Sequence, residues 1–486
     1  MAQAEIPLNG LDSIRREGST PARMRAIRIL STGIFFSLLG LIVLSAVPYG
    51  TAAAWWKALF VSAVLVLALF WIVESYLSER LLGDAWPLVL PIAALILFSL
   101  MQTIAFSAGP SPGGISVSTW NAISFDPYQT RFFVLQLLTL TLAGIFVARY
   151  ASSESRVMAL VNVVIVVAVA SAIFGIIRQT TQTAVGFGLP LIKPDQGFAQ
   201  FINKNHFAYL MEMAFGLVLG IVLGGGVKRD RIMVYVAALL PIWTGLVVCG
   251  SRGGLVAMLS QFVIALLLFG VLLRRQPQRE EGSKLIRLAR SLPATIVLVV
   301  MLVAGVLVGT LWLGGDQLAS RIEDSRTEFN ADMDELRQGV SRKQIWRVTL
   351  RMFAANPLVG VGMGAYWTAV PRYHDASGRM TPQEAHNDYL EVLASGGLVA
   401  VAPVAWFGVV LFRRTKENVL SSNRFRRAIC FGAAIGIAGV AIHSMFDFGL
   451  HLIINALVFT TLVAIATSKT QWTKRRTETH EELRNF

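Results

Sequence analysis

Residues 29–47, "ILSTGIFFSLLGLIVLSAV", contain no charged side chain. As a helix rising 1.5 Å per residue, such a run reaches about 28 Å, close to the thickness of a bilayer's hydrocarbon core. It follows a basic tail over 1–28 and is too long for the apolar core of a signal peptide, so it reads as an uncleaved first span. Working outward, comparable runs are expected near 56–74, 85–105, 131–148, 157–177, 207–225, 232–249, 254–273, 293–314, 388–412, 429–446 and 450–468. Composition agrees, with 55% hydrophobic and 15% charged residues and a mean hydropathy of +0.60. Soluble domains carry about 25% charged residues. The expected fold class is therefore an all-α polytopic membrane protein with about twelve transmembrane helices.

An even number of spans places both termini on one side. The net charge of +14 invites a nucleic-acid reading, but its placement argues for topology instead. Most lysines and arginines fall in the N-terminal tail and alternate connections, including "RRQPQREEGSKLIRLAR" (274–290) and "RRTKENVLSSNRFRR" (413–427). The positive-inside rule then puts both termini in the cytoplasm, and these basic stretches are suited to touching anionic lipid rather than nucleic acid. Cys249 and Cys430 are expected at opposite membrane faces, so a disulfide framework is excluded.

The expected organisation is a cytoplasmic tail over 1–28, nine spans over 29–314, a large outer loop over 315–387, three spans over 388–468, and a cytoplasmic tail over 469–486. Inside the loop, "SRKQIWRVTLRMFAANP" has Ile345, Val348 and Met352 at helical spacing, and "NPLVGVGMGAY" breaks that helix. "TPQEAHNDYL" carries a helix-start signature, with Thr381 as the cap, Pro382 in the first turn and Glu384 three residues on. A helix begun there would place His386 in its second turn, at the outer surface.

Polar groups gather on that outer side. Of six histidines, His206, His386, His443 and His451 fall at outer ends of spans, with Asp447 between the last two. An interfacial histidine alone is commonly a structural hydrogen-bonder; convergence on one leaflet favours function. Arg252 sits on a glycine turn, "GSRGG", where it is either a snorkelling or paired side chain or a guanidinium presented to phosphate. Asn203, Lys204, Asn205 and His206 precede an apolar helix whose free amides suit an anion, unless they form a solvated loop. Arg178 and Arg342 are further outer cations, or ordinary surface charges; Asn387 and Tyr389 flank the span that follows His386.

Chemistry follows from location. Outside the inner membrane no nucleotide sugar is supplied, so a transferase there needs a donor already activated and membrane-anchored. Arginines supply charge stabilisation without a metal, and a neutral imidazole is a suitable base near pH 7. His443, Asp447 and His451 are four apart and would align as metal ligands on a continuous helix, but Gly449 argues against continuity, and no metal or cofactor is expected. A transporter is the competing class. Transporters place ionisable groups near the midplane, and only Glu212 fits that.

The motifs "FINKNHFA", "GSRGG", "SRKQIWRVTLRMFAANPLVGVGMGAY" and "HNDYLEVLASGGL", in that order over about 200–400, resemble the O-antigen ligase and polymerase superfamily of bacterial envelope glycosyltransferases. The resemblance implies a GT-C-type fold with a large periplasmic loop in the bacterial inner membrane, and an undecaprenyl-diphosphate-linked glycan as donor. It implies His386 as the catalytic histidine, with Arg252 and Arg342 handling the diphosphate; Arg178 and Lys204 match more loosely. The implied acceptors are lipid A-core in a ligase, a lipid-linked repeat in a polymerase, or a protein, which the loop favours least.

Overall fold

The computed structural model describes residues 20–47, 49–108, 120–181, 192, 197–275, 342–374 and 382–472. The expected ninth span, the loop over 315–341 and both outermost tails lie outside the described residues. The helices are α1 Pro21–Ser45, α2 Ala54–Ser78, α3 Trp86–Met101, α4 Pro127–Tyr150, α5 Glu154–Thr180, α6 Lys204–Gly224 and α7 Arg229–Cys249. They continue with α8 Arg252–Arg275, α9 Arg342–Ala355, the short α10 Tyr366–Ala369, α11 Asp388–Val419, α12 Arg424–His443 and α13 Ile453–Thr467. A two-stranded antiparallel ribbon, β1 Ala105–Ala108 with β2 Trp120–Ala122, is an addition to the all-helical expectation.

Among the described residues nine helices are long and apolar enough to cross a membrane, and α3 and α13 are shorter apolar helices. The chain is a multi-pass helical membrane protein. Helix starts follow local chemistry: Asp126 accepts from the Gln129 amide ahead of Pro127 in α4, and Ser153 accepts from the Arg156 amide to open α5. Many apolar side chains of α2, α3, α7 and α11 remain exposed, as lipid-facing surfaces require.

Helix α6 is the axis of the bundle, buried from His206 through Ile221. It packs most closely on α12 because glycines face each other along the crossing. A β-carbon on Gly216 would come within 2.4 Å of the Gly436 nitrogen, and one on Gly220 within 2.2 Å of the Gly432 α-carbon. Without a hydrophobic drive between helices in lipid, such close backbone approach supplies the packing energy. Gly220→Val is therefore expected to destabilise the bundle by on the order of 1–3 kcal/mol, the usual range for overpacking. A thermal unfolding midpoint in detergent equal to wild type would contradict this crossing.

Two expectations at the outer end of α11 need correction. Thr381, the expected cap, lies outside the described residues, but 382–387 are not helical; the helix starts at Asp388, where the Asn387 side chain accepts from the amides of Tyr389 and Leu390. Nor do residues 388–412, expected as one span, form an uninterrupted helix. Gly397 (φ 59°, ψ −164°) breaks α11, in a backbone region open essentially to glycine alone. The "NPLVGVG" segment fills the break. Val361 and Gly362 donate to the carbonyls of Ala394 and Ser395, while Leu398 and Val399 donate to those of Pro357 and Leu358. Those are the helical bonds that α11 itself forgoes, so the backbone groups stay satisfied. Gln102, just past α3, braces the junction through Val359, Ser395 and Met363. The first piece of α11 and α9 thus form one unit outside the longer apolar piece, with Val348, Met352, Val361, Tyr366 and Ala394 as a small core.

Candidate active site

The turn between α12 and α13 carries Asp447, whose side chain is almost wholly buried. Three distant segments meet on its carboxylate. His386, from the loop before α11, places Nδ1 3.3 Å from Oδ1, at ion-pair distance though without hydrogen-bond alignment. Arg342, the first residue of α9, places its guanidinium 3.8 Å from Oδ2. Asn205, in the first turn of α6, donates to Oδ2 through Nδ2. The Phe448 amide donates to Oδ1 at 2.9 Å. Burial alone would raise the Asp447 pKa, but His386 and the neighbouring imidazoles of His206 and His443 hold it well below the usual carboxylate range.

Asn205 also ties this carboxylate to the glycine turn. Its Oδ1 accepts from Ser251 Oγ at 2.8 Å, and Ser251 Oγ in turn accepts from the Gly254 amide. Arg252 opens α8 on that turn, between Ser251 and Gly253. A β-carbon on Gly253 would meet His443 Nε2 at 2.6 Å, so the turn sits directly on the buried imidazole.

The other predicted residues take varied places. Asn203 caps α6 by accepting from the Asn205 amide, and Lys204 is the first residue of that helix. His206 is buried, its ring edge-on to Phe448 at 4.9 Å. Asn387 caps α11 and donates to Met445, and the half-exposed Tyr389 donates to the Ala441 carbonyl at 2.7 Å. Arg178 is buried, and its two terminal nitrogens donate to the carbonyls of Ala199 and Ile192. That use braces the segment before α6 rather than presenting a cation.

His443, Asp447 and His451 do not converge as metal ligands. His443 Nδ1 pairs with Glu212 at 2.7 Å inside the bundle, so the one midplane carboxylate that a transporter reading rests on is engaged by a histidine. His451 instead faces Glu384 at 3.3 Å through Nδ1, and Asp388 and Glu391 at 3.5 and 3.6 Å through Nε2. Glu384, Glu391 and His451 bring ligand atoms within 4.8 Å of one another. Both ring nitrogens, however, already point at carboxylates. That arrangement suits an imidazolium donating from both, whereas a metal ligand needs a free lone pair.

Sequence reasoning passed over Asp447 as an organising group and missed Phe448 entirely. Phe448 meets the rings of His206, His386 and His451 edge-on, at 4.9, 4.8 and 5.6 Å. An apolar residue between Asp447 and His451 in "FDFGLH" was the available signal.

The architecture is thus a multi-pass helical bundle with an Arg–His–Asp cluster at one end of its helices. Residues 236–405 match the family model described as O-antigen ligase, in line with the resemblance read from the motifs. The matched stretch contains Arg252, Arg342 and His386; Asn205, Asp447 and His451 lie outside it. No curated protein matches the chain.

Proposed function

We propose that the protein transfers a glycan from an undecaprenyl-diphosphate carrier to an acceptor hydroxyl at the periplasmic face of the inner membrane, with lipid A-core as the acceptor. A GT-C-type fold of about twelve spans and cytoplasmic termini belong to the same reading. The observation that supports it is the convergence of His386, Arg342 and Asn205 on the buried Asp447, with Arg252 next in sequence to Ser251, whose hydroxyl hydrogen-bonds Asn205.

Asp447 beside Nδ1 favours the tautomer that keeps its proton there and leaves Nε2 free. His386 Nε2 takes the proton of the acceptor hydroxyl as its oxygen attacks the anomeric carbon. The bond from that carbon to the diphosphate oxygen breaks, and undecaprenyl diphosphate leaves with the electron pair. Arg252 and Arg342 stabilise the charge developing on the diphosphate; two fixed guanidinium groups supply this without a metal. Asn203, Lys204, Asn205 and His206 at the start of α6, with Asn387 and Tyr389 across from them, border the substrate.

Arg252→Lys is expected to weaken donor binding and lower turnover, because a point charge does not reproduce a bidentate contact. An unchanged donor KM in a reconstituted assay would remove Arg252 from the diphosphate site. The acceptor is tested by deletion with analysis of surface glycans. Loss of glycan-capped lipid A-core is expected; loss of long polysaccharide with capping retained would make the protein a polymerase of the same superfamily.

A further inference from the structure

We infer that His451 is a positioning residue: its imidazolium clips together the two sides of the loop that presents His386. This inference rests on the catalytic role proposed for His386. Glu384 lies two residues before His386 and Asp388 two residues after it, and His451 faces both, through Nδ1 at 3.3 Å and Nε2 at 3.5 Å. The clip has work to do, because His386 adopts φ +50°, a left-handed conformation that costs a side-chain-bearing residue about 1–2 kcal/mol. Further contacts close the same loop. The Ala385 amide donates to Glu391 at 2.9 Å, the Asp388 amide to the Ser444 carbonyl at 2.9 Å, and Asn387 Nδ2 to Met445. His451 also belongs to the short turn that follows Asp447, so the clip fixes the loop against the carboxylate that His386 faces.

Only the charged ring donates from both nitrogens. Burial opposes that charge, but Glu384 and Glu391, with Asp388, raise the His451 pKa well above the ordinary histidine range. The same pairing lowers the Glu384 pKa despite its burial. The other charged or titratable groups bearing on the clip are Lys57 of α2, acting on Glu384, the buried His206 of α6 across Phe448, and Asp447. A raised pKa means that the clip is fully formed at neutral pH and is lost as the pH rises through the folded value.

The test uses the full chain reconstituted in proteoliposomes, with turnover and donor KM measured across pH for wild type, His451→Gln and His386→Ala. Glutamine is neutral and cannot bridge both carboxylates. His451→Gln is expected to lower turnover about tenfold with donor KM unchanged, in line with the cost of misplacing a reacting group. Wild type is expected to lose turnover on the alkaline side as the clip deprotonates, and His451→Gln to abolish that fall. Should His451→Gln fail to insert, Asp388→Asn opens one side of the clip and is expected to weaken the same alkaline limb. Wild-type turnover and pH profile in His451→Gln, beside an inactive His386→Ala, would overturn the clip and leave the role of His386 standing. Near-normal turnover in both variants would overturn both.

Discussion

Replacing His386 with alanine is expected to lower turnover by roughly 10²- to 10⁴-fold, the range typical of losing a general base. Donor affinity is expected to change little, because the guanidinium groups assigned to the diphosphate belong to α8 and α9 rather than to the loop. The side chain is about one-third exposed and contributes no apolar core, so the fold is expected to survive. Single-turnover kinetics in reconstituted membranes check this directly. Turnover near wild type would reduce His386 to an interfacial hydrogen-bonder.

Asp447→Asn is expected to be as damaging, by about 10³-fold in turnover, since an amide beside Nδ1 favours the wrong imidazole tautomer. It differs from His386→Ala in a second readout. Arg342 and Asn205 share the Asp447 carboxylate, so the amide leaves both without an anionic partner, and donor KM is expected to rise too. The pH dependence follows from the sign of the shift. A depressed folded-state pKa means that the Asp447 contribution is fully present above the unfolded value near 4 and fades only as the pH falls through the folded one. Wild-type activity on the acid side is therefore expected to be insensitive to Asp447 itself. A variant with wild-type turnover and donor KM would show that the convergence on Asp447 is architectural.

Much of the fold was legible because lipid imposes one rule: long uncharged helices. The runs read from the sequence coincide with helices from α1 to α13 apart from the expected ninth span, which lies outside the described residues. What the sequence hid lies where two patterns compete. "TPQE" and "Asn387–Asp388" both signal a helix start, and the Asn387 side chain prevails by capping two amides at once. "NPLVGVG" was readable as a helix breaker, but not as a segment inserted into the break at Gly397, because that pairing joins residues well apart in sequence.

The site was legible by residue type and side of the membrane, not by partner. His386, Arg252 and Arg342 stood out as cations or imidazoles among apolar helices. Their common partner Asp447 did not, since a lone carboxylate in "HSMFDFGLH" reads equally as a turn residue or a metal ligand. Arg178, read as an outer cation or an ordinary surface charge, is buried in the structure and donates to two backbone carbonyls, partners that its sequence neighbourhood does not reveal.

The central claim, glycan transfer organised by His386 and Asp447, is tested most directly by release of undecaprenyl diphosphate from the purified, reconstituted protein. Lipid-linked glycan is supplied with lipid A-core, a chelator is present throughout, and release is measured with and without acceptor. Acceptor-dependent release is predicted for wild type, falling by at least about a hundredfold in His386→Ala. Release that needs no acceptor, that survives in His386→Ala, or that returns only with an added divalent ion would contradict it.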